Sequence, residues 1–168
     1  VPVLVGVSRR IHRRLDPPLD HLAVRTRLER VAGPLLGPGR TGTLGLMLCS
    51  DRVIRRLNAE WLDRDSATNV IAFPSPALGS FTARAGALVG RPGVLSELAP
   101  SGGPVLHVGD IAVSVDTARR EQGHAADDER VVYLAMHGLL HILGWDHDTE
   151  ARWRRMHRAA LRLMRTSR

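Results

Sequence analysis

The chain has 168 residues and a formal net charge of +7, and all 24 basic residues are arginine. That length suits one compact domain able to bury a core without cross-links, and the single cysteine, Cys49, excludes an intrachain disulfide framework and fits a reducing cytoplasm. The apolar start with arginines after it is the reverse of an export signal. The longest apolar stretch, Val131 to Trp145, is too short to span a bilayer and carries two histidines, so no membrane association is expected. The basic excess sits at the two ends: residues 1–40 hold eight arginines against three acids, and residues 148–168 hold seven against two. Such ends fit either solvated surfaces or phosphate-bearing partners.

In chain order, the β-branched run Val3–Val7 predicts a strand. Leu22, Val24, Leu28 and Val31 recur at helical spacing and predict a helix with those residues inward, ended by Gly33-Pro34 and Gly37-Pro38-Gly39. Thr41–Leu48 reads as a second strand. Ser50 suits the N-cap of a helix reaching Leu62, and Val70–Phe73 is a short strand closed by Pro74. Residues 75–106, rich in Gly, Pro, Ala and Ser, read as a long loop with a short helix near Val94–Leu98. Gly109–Val115 is a further strand, and Asp116–Gln122 a short helix that Gly123 ends. Asp127, Asp128 and Glu129 then open a helix whose body is apolar all round from Val131 to Leu143, the pattern of a buried helix. Gly144 supplies a left-handed end. A last helix runs from about Thr149 to Met164, with Trp153, Met156, Ala160 and Leu163 inward and arginines outward.

The segment His137-Gly-Leu-Leu-His141-Ile-Leu-Gly144-Trp-Asp-His147 carries the chemistry. Two histidines four apart share a helix face about 6 Å apart. The glycine stop turns the chain so that His147 approaches from another side. Three imidazoles meeting this way are a ligand set for zinc or a similar ion, with one tetrahedral position open. The same spacing occurs in metzincin proteases, which carry a glutamate base after the first histidine. Gly138 stands there in this chain, which argues against peptide hydrolysis. His12, His21, His124 and His157 lie in polar surroundings and read as surface residues, while His107, just before a strand, is left open.

These residues resemble the signature of the YbeY endoribonuclease and rRNA maturation factor family. Leu57-Asn58, the block Asp65-Ser-Ala-Thr68-Asn69-Val70-Ile-Ala-Phe73-Pro74, and Gly109-Asp110-Ile111 resemble further family blocks, so that the likeness runs from about Val3 to Leu163. The resemblance implies an α+β fold: a small mixed sheet of about four strands packed with about five helices, in one domain spanning 1–168. It implies one zinc ion held by His137, His141 and His147. It also implies action on single-stranded RNA, in particular rRNA of the small ribosomal subunit, in rRNA maturation and ribosome quality control in the cytoplasm, with ribosome-assembly proteins as possible partners. One departure stands out: Leu62 occupies the place where the family carries an arginine facing the site, and the nearest arginine is Arg64.

On this reading Arg64 holds and neutralises phosphate, unless it is an ordinary surface arginine. Asp146 either orients a histidine or caps the turn. Thr68 and Asn69 border the site as substrate-binding residues or serve the strand edge. The attacking group, a substrate 2′-hydroxyl or water activated at the ion, is left open. The competing expectation is a zinc-stabilised RNA-binding ribosome-assembly factor with weak or lost catalysis, which Leu62 favours.

Overall fold

The computed structural model describes residues 3–10, 18–36, 42–76, 105–122 and 128–168, the first of these as backbone. Four strands form one mixed sheet: β1 (Val3–Arg10), β2 (Gly42–Cys49), β3 (Val70–Pro74) and β4 (Leu106–Ser114), in the order β1-β2-β4-β3. The pairs β1–β2 and β2–β4 are parallel, and β3 closes the edge antiparallel to β4. The helices are α1 (His21–Leu36), α2 (Asp51–Leu62), α3 (Val115–Gln122), α4 (Glu129–Ile142) and α5 (Glu150–Thr166). The expected α+β class is what the chain adopts. The long loop lies mostly outside the described residues, as do its expected helix at 94–98, the stops at Gly37-Pro38-Gly39 and Gly123, and His12 and His124.

Alternation along the strands separates two apolar clusters. Leu44, Leu46 and Leu48 of β2 and Ile111 and Val113 of β4 share one face with α1, α4 and α5. Ala112, Cys49 and Ile71 point to the other face, where Ile54 of α2 covers them. The main core is built around α4, which has eleven buried residues and touches β3, β4, α1, α3 and α5. A helix apolar on every side is stable only when surrounded in this way. Glu129 anchors its first turn by accepting from Arg27 Nη1 at 2.6 Å.

Several expectations fail in instructive ways. Leu22 is 59% exposed and Trp153 is 44% exposed, although both were expected inward. Leu22 is two residues from Val24 and nine from Val31, a spacing that turns it away from the buried side of α1, and Trp153 lies in the first turn of α5. Pro34 lies inside α1 rather than ending it. Proline near a helix end forfeits only a single backbone bond, which packing of Val31 and Ala32 offsets. Ser50 occupies the N-cap position of α2, but its hydroxyl makes no capping bond. The Asp116 carboxylate accepts from the Asp51 N–H instead, at 3.0 Å.

Glycines on both sides, Gly138 on α4 and Gly109 on β4 against Ile142, let α4 meet the sheet closely. A Cβ added at Gly138 would lie 2.6 Å from Ile111 Cγ2 and 3.2 Å from Val70 Cγ2, so the missing side chain lets α4 rest directly on β3 and β4. On β4 the register slips at Thr43/Leu44, an extra residue in the strand, and Gly109 there has φ 149°. Gly138→Ala is therefore expected to destabilise the fold by about 1–3 kcal/mol, the usual cost of overpacking. Urea unfolding measures it; an unchanged midpoint would refute the contact as a constraint.

Candidate metal centre

The site is assembled where α4 stops. Trp145 N–H donates to Leu140 O at 3.0 Å and Gly144 N–H to His141 O at 2.9 Å. With Gly144 at φ 82°, this is a Schellman end. Glycine takes that conformation without the steric cost a Cβ would impose. The turn swings the chain back over the last turn of α4, and Asp146 Oδ1 accepts the His147 N–H at 2.7 Å to hold it.

The three histidines come together as expected. One ring nitrogen from each lies within 4.8 Å of the other two. Ring centroids are 4.8 Å apart for His137–His141, 5.2 Å for His137–His147 and 5.0 Å for His141–His147. Nε2 of His137 and Nε2 of His141 are separated by 3.2 Å. Tetrahedral zinc with Zn–N of about 2.0–2.1 Å requires nitrogens about 3.4 Å apart, so the pair fits such an ion.

Protonation also suits a ligand set. His141 Nδ1 lies 2.9 Å from the Trp145 carbonyl, which only accepts, so Nδ1 carries the proton and Nε2 presents its lone pair. Burial pushes the His137 imidazolium down to about 3, with help from His141 and His147 nearby. His141 is lowered as well, by burial and then by His147, against the Trp145 carbonyl and Asp146. Both rings are thus neutral near pH 7, as metal coordination requires. Among the described residues His137 Nδ1 is buried with no hydrogen-bond partner, and packing contributes to holding that ring.

That packing comes from residues the sequence reading passed over. Tyr133, one turn before His137, stacks on it at 6.0 Å between centroids. The Tyr133 hydroxyl bonds His157 Nδ1 at 2.7 Å, so His157 is a half-buried partner of this region and not a surface residue. The i−4 spacing of Tyr133 from His137 was the available signal.

The remaining candidates are not joined to the histidines by any hydrogen bond, ion pair or ring contact among the described residues. Arg64 is exposed in the turn after α2. The buried Asn58 builds that turn: its carbonyl accepts from Asp63 and Arg64 N–H, and its Nδ2 donates to Ser66 O at 2.8 Å. Asn69 O accepts from Ser114 N–H at 2.9 Å and Asn69 Nδ2 donates to Glu121 at 3.1 Å. Thr68 is half-buried beside it. Both lead into Val70, which meets Gly138 next to His137. His107, left open above, bonds Asp110 and Thr43 at 3.1 Å each, apart from the histidine cluster. Cys49 is buried and its thiol is pushed up to about 12, by burial first and then by Asp116 and Asp51, so it offers no thiolate ligand.

Gly138 also settles a chemical point. A glutamate there would have to enter the space held by Ile111 and Val70. The carboxylate base of a metzincin protease has no room at this position.

The family model for endoribonuclease YbeY matches residues 22–168. The chain is 38% identical to the endoribonuclease YbeY of Anaeromyxobacter sp. over 154 residues, covering 89% of this chain and 68% of that protein. It is 36% identical to the endoribonuclease YbeY of Thermus thermophilus over 143 residues, covering 82% and 87%. Against the endoribonuclease YbeY of Synechococcus sp. it is 38% identical over 112 residues, and spans 58% of that protein.

If the three imidazoles form one centre, protein dialysed against zinc retains about one ion per chain. His141→Ala is expected to weaken retention by more than the roughly 10–100-fold typical of losing an outer-shell partner. Elemental analysis checks this, and equal zinc in the wild type and His141→Ala would sink the site.

Proposed function

Because the chain belongs to the YbeY endoribonuclease family, we propose that it is a metal-dependent endoribonuclease that cuts single-stranded RNA. Its substrate is rRNA of the small ribosomal subunit, and its setting is rRNA maturation and ribosome quality control in the cytoplasm. One observation carries the reading: three ring nitrogens within 4.8 Å at the end of a buried helix, two of them on neutral imidazoles. Among the described residues no helix is long and apolar enough to cross a membrane.

His137, His141 and His147 hold the ion, zinc or a similar divalent metal. When bound, it supplies Lewis acidity toward a phosphodiester oxygen. The protein's own part is positioning. The Trp145 carbonyl keeps the His141 tautomer, and Tyr133 backs His137. Asp146 holds the turn that presents His147, so a change there acts through geometry. Arg64 serves as the phosphate clamp. It is exposed and has no ion-pair partner among the described residues, which leaves its guanidinium available. Thr68 and Asn69, at the entrance to β3, contact the substrate backbone.

A second reading has one observation behind it. Leu62 stands where the family carries arginine and is 50% exposed at the end of α2. That favours a zinc-stabilised RNA-binding ribosome-assembly factor with weak catalysis.

Purified protein incubated with labelled single-stranded and duplex RNA separates the two. The expected result is cleavage of the single strand, lost on chelation and reduced at least about 100-fold by His141→Ala, as for removal of a principal catalytic group. A 2′,3′-cyclic phosphate end would assign the attack to the substrate 2′-hydroxyl. Tight RNA binding with no cutting by the wild type would favour the assembly factor and overturn the nuclease.

A further inference from the structure

We propose that the half-exposed indole of Trp153 is a stacking platform for a base of the single-stranded RNA, leading the strand to the histidine cluster. The inference rests on the RNA-directed function above.

The sequence periodicity expected Trp153 in the core, yet it is 44% exposed. It is nevertheless held in place. His157 lies parallel to it, 5.0 Å between centroids and 6° between planes. His157 is fixed in turn by the Tyr133 hydroxyl at 2.7 Å. The rings form a continuous series: Trp153 to His157 at 5.0 Å, His157 to Tyr133 at 5.5 Å, Tyr133 to His137 at 6.0 Å. One end of the series is a solvent-facing indole and the other is a metal-ligand candidate.

An immobilised, partly open aromatic face is what a nucleobase needs, because every base has a π-face and the ring gives up little freedom on binding. The surroundings supply the charge. Further along the same helix, Arg158 is exposed and makes no ion pair among the described residues. Arg155 lies over the Trp145 ring, 5.1 Å from its centroid, beside the turn that holds His141. Phosphates near Arg158 and a base on Trp153 would set a strand along α5 toward the histidines. A protein or lipid partner would want a wider apolar patch. On α5 the other exposed large apolar side chain among the described residues is Leu161, eight residues further on.

Binding of a fluorescent, uncleavable 2′-O-methyl single-stranded oligonucleotide to the metal-loaded protein tests this by anisotropy. Trp153→Ala is expected to weaken binding about five- to 100-fold, and Trp153→Phe to recover most of it. Bound zinc and the thermal midpoint stay as in the wild type. The salt dependence keeps its slope in Trp153→Ala, whereas Arg158→Ala lowers the slope by about one. Should Trp153→Ala bind within twofold of a wild type that still cuts RNA, this inference fails and the nuclease stands. Weaker binding that comes with lost zinc, unrescued by phenylalanine, would mark Trp153 as structural and overturn the inference too. A wild type that neither binds nor cuts RNA overturns both.

Discussion

The contact of Gly138 with Ile111 and Val70 governs the site. With a side chain at that position the helix could not lie directly on the sheet, and its last turn would move with it. His137 sits beside the contact and His141 one turn further, so their 3.2 Å nitrogen separation inherits its precision from backbone-to-sheet packing. The core is close-packed, and displacement at one point is passed on instead of absorbed. A rigid buried helix is a better foundation for a ligand cluster than a loop would be.

Burial does two further things. It keeps His137 and His141 neutral, because a charged imidazolium in this interior would lose its hydration. It also leaves polar atoms that need partners, and the fold provides them unequally. His141 Nδ1 has the Trp145 carbonyl, while His137 Nδ1 has none among the described residues. One ligand is therefore oriented by a hydrogen bond and the other by the Tyr133 ring. The same glycine that allows the packing leaves no space at that position for the carboxylate base of a metzincin protease.

The opposite sheet face is organised by other means. Asn58, buried at the end of α2, satisfies the carbonyl of Ser66 and the amides of Asp63 and Arg64. Asp51 gathers Ser114, Thr117 and Arg120 around one carboxylate, tying α2 to α3 and the end of β4. These networks hold Arg64 and Asn69 at the ends of elements flanking the sheet. The arginine-rich α5 adds a third surface, whose aromatic members connect back to the histidines through Tyr133.

Much of this was legible in the residues. The all-round apolar run of α4, the four-residue histidine spacing and the glycine stop are local patterns, and local geometry converts them directly into a buried helix with two histidines on one face and a turn. The class of fold came from the resemblance of several sequence blocks to a known family, not from the pattern of elements alone. What the chain alone did not decide depends on surfaces meeting across long sequence distances. Trp153 lies in the first turn of α5, and only the placement of that helix against the core determined that its indole stays partly exposed. His157 looked like a surface residue until α5 packed beside α4 and brought it to Tyr133. The packing role of Gly138 carried no local signal, since it exists only once Ile111 and Val70 lie beneath it.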